Sequence, residues 1–250
     1  MQIRWLLVAL LLLATVRASA ETPAPVTMMT NTWPPYVDAQ LPEGGLALEL
    51  VTHIFQQAGL PVDNSIERWP RAMEGVRVGL YDVLGAAWRD EERERDFIYS
   101  DPYLLNDTIL VTTKAANRRP RSLEQLAGSR IGVLEDYSYG MDLKGIDGVS
   151  LVVENHMIQS LMNLFNGKVD YVIGDNRVIA LMLSEYLEDR RGELTPLDIT
   201  LPKRGLYVAA SRSKVGTEDL IARFNTALAK ARSDGSYQRI VDAWNQRYAM

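Results

Sequence analysis

The reactive side chains of this sequence do not form a recognised catalytic motif. Its two histidines, His53 and His156, are too far apart for a metal-binding motif, and the chain has no cysteine. Neither a G-x-S-x-G nucleophile turn nor a phosphate-binding glycine loop occurs. Without cysteine, disulfides and thiolate metal sites are excluded. The sequence therefore predicts no metal and no other cofactor, and it gives no independent argument for catalysis.

Two charged residues could instead recognise a small polar ligand. Arg93 could bind a carboxylate through two parallel donors, although its place in the charged run Asp90–Asp96 is by itself typical of a solvated surface. Asp175 ends an apolar segment and could bind an ammonium group, because ligands of open α/β sheets collect at the carboxyl ends of strands. An N-cap for the following segment, Asn176–Leu183, is the structural alternative for Asp175.

The first twenty residues have the layout of a cleavable secretory signal. Met1–Arg4 is short and basic, Trp5–Val16 is mostly Leu, Val and Ala, and Ala18-Ser19-Ala20 is a small-x-small ending. A membrane anchor is the alternative, but the apolar run stops at Arg17, short of the roughly 20 residues needed to cross a bilayer. We expect cleavage after Ala20. Since no cysteine is available for lipid attachment, the mature protein is expected to be free in the periplasm.

The remaining residues, 21–250, suffice for two lobes of about 100 residues each. The formal net charge of −5 becomes −7 once Arg4 and Arg17 leave with the signal segment. Nucleic acids and anionic membranes attract basic surfaces, so neither is an expected partner.

Short apolar runs alternate with amphipathic stretches, which is typical of an α/β protein with largely parallel sheets. The predicted strands are Val26–Thr30, Asp82–Trp88, Ile109–Thr113, Arg130–Leu134, Val169–Gly174 and Leu206–Ser211. The predicted helices are Leu46–Ala58, Pro70–Val78, Ile158–Asn166, Thr217–Arg232 and Ser236–Arg247.

Two polar, proline-containing connectors are candidate crossings between the lobes. They are Lys114–Pro120, after the strand that ends at Thr113, and Leu201–Gly205. If both are hinges, lobe one contains residues 21–112 and 205–250, and lobe two contains residues 113–204. A double crossing permits bending with little change inside either lobe.

Several segments, in order, resemble one known family. The longest is DVLGAAWRDEERERDFIYSDPY, from Asp82 to Tyr103. The others are WPPY at 33–36, ERWPRA at 67–72, SLEQLAGSRIGVLEDYSYG at 122–140, NGKVDYVIGD at 166–175 and RFNTALAKARSDGSYQRIVDAW at 223–244. Together they resemble the family-3 periplasmic solute-binding proteins, the amino-acid-binding components of ABC importers. The resemblance implies the type II periplasmic-binding fold, with two α/β lobes, two hinge strands and a ligand sealed between the lobes.

The resemblance also implies roles for individual residues. Arg93 occupies the position of the carboxylate-binding arginine, and Asp175 that of the ammonium-binding acid. Tyr36 and Trp69 match aromatic positions that cover the ligand. Additional candidate lining residues are Trp33, Arg71, Tyr137 and Tyr139.

Trp88 departs from the family, because amino-acid binders usually have Ser or Thr there, whose hydroxyl helps to hold the ligand carboxylate. Trp88 is thus a predicted site residue that favours a smaller, flatter or aromatic ligand. Thr30 replaces the acid found after the first strand in many binders of basic amino acids, which disfavours lysine-like and arginine-like ligands.

The resemblance implies a monomeric binding protein whose partner is the membrane permease of an ABC importer. A sensory protein serving a membrane receptor is one alternative, because both roles use the closed conformation. A lyase resembling periplasmic cyclohexadienyl dehydratase is the other. Such a lyase needs a general acid, for which Glu135, Asp136 and Asp175 are the candidates.

Overall fold

The computed structural model describes residues 23–89 and 91–247, and the predicted signal segment lies outside them. The strands are β1 Val26–Thr30, β2 Val62–Ile66, β3 Val83–Trp88, β4 Phe97–Tyr99, β5 Leu104–Asn106, β6 Thr108–Thr113, β7 Arg130–Leu134, β8 Ser150–Glu154, β9 Tyr171–Asp175, β10 Leu194–Pro196 and β11 Arg204–Ser211. The helices are α1 Leu46–Gln57, α2 Trp69–Arg77, α3 Met157–Phe165, α4 Asn176–Glu185, α5 Thr217–Ser233 and α6 Ser236–Arg247. Within this part of the chain, each helix is too short or too polar to span a bilayer.

The strands form two sheets, one in each lobe. The first has the order β2-β1-β3-β11-β4, with β5 also paired to β11, and the second has the order β10-β6-β9-β7-β8. The pairs β1–β2, β1–β3, β7–β8 and β7–β9 are parallel, whereas β6 and β11 run antiparallel to their neighbours. This arrangement confirms the predicted two-lobed α/β fold.

The first lobe is built around β3, which is buried along its whole length. Its sequence, VLGAAW, is a continuous apolar run, as expected for a strand covered on both faces. Helix α1 packs against β3 through an apolar face that includes Leu50 and Ile54, both fully buried. Behind α1 lie α5 and α6, and the rings of Phe55 and Phe224 pack 4.9 Å apart between α1 and α5.

The chain crosses between the sheets twice, and the two crossings lie side by side. The first crossing lies between Asn106, the end of β5, and Thr108, the start of β6, and the second lies just before Arg204. These two hinge strands pair antiparallel, with Asn106 opposite Arg204. The sequence placed the first boundary after residue 112. The structure differs because β6 pairs with β9 and β10, so that Lys114–Pro120 is a loop of the second lobe.

Candidate functional site

A cavity of about 280 Å³ lies between the two lobes. Lobe one contributes residues that follow β1 and β3, and lobe two contributes residues that follow β7 and β8. The strands β1, β3, β7 and β8 are parallel within their sheets, so the cavity opens at the carboxyl ends of parallel strands, the usual place for ligands in α/β proteins. Its lining includes Trp33, Trp69, Trp88 and Arg93 from lobe one, and Glu135, Asp136, Tyr137 and His156 from lobe two.

Three aromatic side chains form a wall of the cavity across the lobe boundary. Trp33 and Trp88 of lobe one lie edge to face, with centroids 5.4 Å apart. Tyr137 of lobe two contacts both, at 5.9 Å from Trp33 and 4.9 Å from Trp88. Burial raises the pKa of the Tyr137 phenol well above its ordinary value, so this hydroxyl stays neutral. Edge-to-face contacts of this kind stabilise beyond the area that they bury.

Trp88 is held by the hinge. Its indole Nε1 donates a hydrogen bond to Asn106 Oδ1 at 3.0 Å, and the side chain is 6% exposed. Indole has one donor and no acceptor. That donor is engaged by Asn106, so Trp88 offers the cavity a ring surface in place of the hydroxyl that the family resemblance implies at this position.

Arg93 lines the cavity from a short 3₁₀ helix, Arg93–Arg95, that follows β3. Its guanidinium carbon lies 5.2 Å from the centroid of Trp69, and Nη1 donates to the Trp88 carbonyl at 3.4 Å. Stacking on an aromatic face orients a guanidinium, whose planar fork matches the geometry of a carboxylate. Trp69 is placed for this contact because it begins α2 directly beyond β2.

Asp175 is fully buried and does not line the cavity. Oδ1 accepts hydrogen bonds from the Tyr36 hydroxyl at 2.9 Å and from Val178 N at 3.1 Å, and Oδ2 accepts from Asn106 Nδ2 at 2.9 Å. The bond to Val178 N makes Asp175 the N-cap of α4. Burial raises the pKa of Asp175, although these hydrogen bonds and Arg177 oppose the effect.

Tyr36 lies beside Asp175 and is also fully buried, outside the cavity lining. Burial raises the pKa of its hydroxyl well above the ordinary value, and the neighbouring Asp175 adds to the rise. Arg71 lies elsewhere, exposed on α2 with Nη1 3.5 Å from Glu67 Oε2, and it does not line the cavity. Of the nine predicted ligand-site residues, the structure thus brings five together at the cavity: Trp33, Trp69, Trp88, Arg93 and Tyr137.

Asn106 is a residue next to the site that sequence reasoning missed. It is fully buried at the end of β5 and links Trp88 to Asp175 through its two amide atoms. A single asparagine in a three-residue strand carries no periodic pattern. Only the arrangement of three distant segments around it reveals its role.

Tyr139 and the two candidate acids of the loop after β7 have different surroundings. Tyr139 is buried, and its hydroxyl accepts a hydrogen bond from Leu134 N at 2.9 Å, inside lobe two. Glu135 and Asp136 line the cavity but are exposed at its rim.

Comparison with known proteins agrees with this architecture. Residues 26–247 match the model of the bacterial extracellular solute-binding proteins, family 3. A probable amino-acid ABC transporter-binding protein of Haemophilus influenzae is 23% identical over 210 residues, which cover 80% of this chain and 75% of that protein. A putative ABC transporter arginine-binding protein 2 of Escherichia coli is 27% identical over 182 residues, covering 71% and 68%.

Solved structures show the same fold. An ancestral arginine-binding protein bound to arginine superposes with a TM-score of 0.73 at 23% identity, covering 89% of this chain and 99% of that one. The GluR0 ligand-binding core from Nostoc punctiforme in complex with L-glutamate gives a TM-score of 0.72 at 19% identity, covering 88% and 99%. With the family model matching nearly all of the described chain, this protein belongs to the bacterial extracellular solute-binding proteins of family 3.

Proposed function

We propose that the cavity binds a small amino-acid-like carboxylate, and that the closed protein delivers it to the membrane permease of an ABC importer. The observation that carries this proposal is the position of Arg93, which lines the cavity between the lobes with its guanidinium on the face of Trp69. A guanidinium stays charged when it is desolvated and matches the geometry of a carboxylate. Both relatives described above are named as ABC transporter-binding proteins, which favours import over sensing.

The other parts of the cavity would enclose the body of the ligand. Trp69, Trp88 and Tyr137 supply apolar surface from both lobes, so closure removes water from around the bound carboxylate. The contacts of Tyr137 with lobe one couple this wall to closure. We further propose that the lobes move as units about Asn106–Thr108 and the residues just before Arg204.

A binding role is favoured over the lyase alternative. A general acid that works near neutral pH requires burial or a suitable charged neighbour. Glu135 and Asp136 are exposed at the rim, and the carboxylate of Asp175 lies outside the lining and accepts hydrogen bonds from three donors. Incubation with prephenate tests this point, because formation of phenylpyruvate with loss of water and carbon dioxide would establish the lyase function.

We also propose export with cleavage after Ala20, which leaves a protein that begins at Glu21 in the periplasm. Mass spectrometry of the protein isolated from a periplasmic extract gives its N-terminus directly. A retained N-terminal segment, or recovery only with the membrane fraction, would contradict this proposal.

The binding function is tested by screening residues 21–250 in a thermal-shift assay against the common L-amino acids, organic acids and prephenate. A ligand at a hundred times its dissociation constant stabilises the folded state by about 2.7 kcal/mol. The Arg93→Ala variant should lose the shift of the best ligand. Arg77→Ala is the matched control, because Arg77 lies on the surface of α2 and pairs with Glu74. Equal shifts in both variants would overturn the proposed site.

A further inference from the structure

Lobe two contributes one fully buried carboxylate close to the cavity, and that carboxylate is already engaged. Asp175 accepts from Tyr36, Asn106 and Val178 at 2.9 to 3.1 Å. These three donors come from lobe one, from a hinge strand and from the first turn of α4. An ammonium group of a ligand would have to displace Tyr36 in order to reach this carboxylate.

The contacts of Asp175 belong to a chain of hydrogen bonds that connects the lobes. Tyr36 donates to Asp175, Asn106 donates to the other oxygen of Asp175, and Trp88 donates to Asn106. All four side chains are at most 6% exposed. A buried and fully connected network of this kind fixes the position of its members. Asp175 therefore joins lobe one to lobe two while Trp88 is held as a cavity wall.

Two cationic side chains lie in or beside the cavity, and both attract an anion. The guanidinium of Arg93 lines the cavity over Trp69, whereas Arg204 lies outside the lining, with its guanidinium 5.5 Å from the centroid of Trp88 while donating to Ser138 across the lobe boundary. The acids at the rim, Glu135 and Asp136, are exposed. An exposed ion pair changes affinity by at most about fivefold.

We infer that the cavity selects monocarboxylates with a planar or apolar body and does not require an α-ammonium group, because Asp175 is a positioning residue that ties the lobes together. This inference rests on the proposed function and narrows its ligand class. The volume of about 280 Å³ corresponds to about nine water molecules, which is room for a carboxylate carrying one ring.

The test compares amino acids with their deaminated analogues by isothermal titration calorimetry on residues 21–250. The pairs are L-phenylalanine with 3-phenylpropanoate, L-tyrosine with 3-(4-hydroxyphenyl)propanoate, L-tryptophan with indole-3-propanoate, and L-leucine with 4-methylpentanoate. We expect at least one pair to bind, with the deaminated member no more than tenfold weaker. Loss of a buried charge pair would weaken the deaminated member about thirtyfold or more. A loss above tenfold in every pair that binds would overturn the inference.

Two variants separate positioning from ligand contact. In Asp175→Asn the affinities for both members of a pair should change by the same factor, because the substitution weakens the connection between the lobes and removes no contact with the ligand. If only the amino acid is weakened, Asp175 contacts the ammonium group and the inference is wrong. Tyr36→Phe, which removes a single hydroxyl, gives the same comparison should Asp175→Asn fail to fold.

Failure of the proposed function has a different signature. It would appear as unchanged binding of the carboxylates in Arg93→Ala, or as no binding of any carboxylate in the screen, and either result would overturn this inference as well. Binding of the amino acids alone, abolished in Arg93→Ala, would leave the proposed function standing and overturn only the inference.

Discussion

The two predicted charges of the ligand site, Arg93 and Asp175, have opposite environments although both follow buried strands. Arg93 lines the cavity beyond β3, with its guanidinium against Trp69. Asp175 ends β9 and is sealed by donors from both lobes. A place at the carboxyl end of a strand thus brings a side chain to the cleft region, while the segment that covers it decides whether a ligand can reach it.

The segment that covers Asp175 is the turn containing Tyr36. The backbone carbonyl of Tyr36 accepts a hydrogen bond from Ala47 N, in the first turn of α1, at 2.9 Å. Gly45 makes this approach possible, since a Cβ there would lie 2.4 Å from the Tyr36 carbonyl oxygen and its φ is +109°. The packing of one turn against a helix start therefore determines where the hydroxyl of Tyr36 points.

Arg93→Ala should produce the largest effect on ligand binding. Removing the cation that faces a buried carboxylate costs about 2–5 kcal/mol of binding free energy, whereas the unfolding free energy should change by less than about 0.5 kcal/mol, as for a surface substitution. Calorimetry with the best ligand and urea unfolding measure the two quantities. If Arg93→Ala strongly lowered the unfolding free energy and left ligand affinity intact, Arg93 would have a structural role, and the contrast with Asp175 would be wrong.

Asp175→Asn should act mainly on stability. The amide has one acceptor oxygen for three donors, and an unsatisfied buried donor costs about 1–3 kcal/mol. Urea unfolding without ligand measures this loss. Asp170→Asn is the matched control at the other end of the same segment, because Asp170 pairs with Arg130 on the surface and should contribute at most about 1 kcal/mol. Equal losses in the two variants would show that burial of Asp175 does not matter for folding.

The pH dependence of stability should distinguish Asp175 from an exposed acid. Its pKa is raised in the folded protein, chiefly by burial, so the folded state holds the proton more tightly than the unfolded state. The contribution of protonated Asp175 to the free energy of unfolding is complete below the unfolded pKa of about 4, and it is lost as pH rises through the folded pKa. The stability of the wild type relative to Asp175→Asn should therefore fall from pH 4 towards neutrality. Urea unfolding curves of both proteins at several pH values measure this. A difference in unfolding free energy between wild type and variant that stayed constant with pH would contradict the prediction.

Arg71→Ala should produce the smallest effect. Arg71 is exposed and contacts Glu67 at 3.5 Å, outside the cavity lining. Its removal should alter ligand affinity by less than about twofold, because a screened surface charge contributes little. A tenfold loss in calorimetry would show that Arg71 reaches the ligand, and the cavity boundary would have to be redrawn.

Most of the secondary structure could be predicted because it depends on local pattern. The apolar run of β3 and the buried face of α1 both follow from residue spacing. The unpredicted strands β2 and β8 are sheet edges without a fully buried residue, and β4, β5 and β10 have only three residues each. Short or edge strands gain their stability from pairing with distant partners, which local patterns do not record.

The sequence by itself determined the two-lobed α/β architecture, the family and a set of charged and aromatic candidates, because apolar periodicity and motif order are properties of the chain. The tertiary structure alone decided that β6 belongs to the second lobe, that Asn106 connects Trp88 to Asp175, and that Arg93 but not Asp175 lines the cavity. These features depend on contacts between residues far apart in the chain. Burial, and with it the pKa and accessibility of a charge, is set by whichever distant segment packs over that charge.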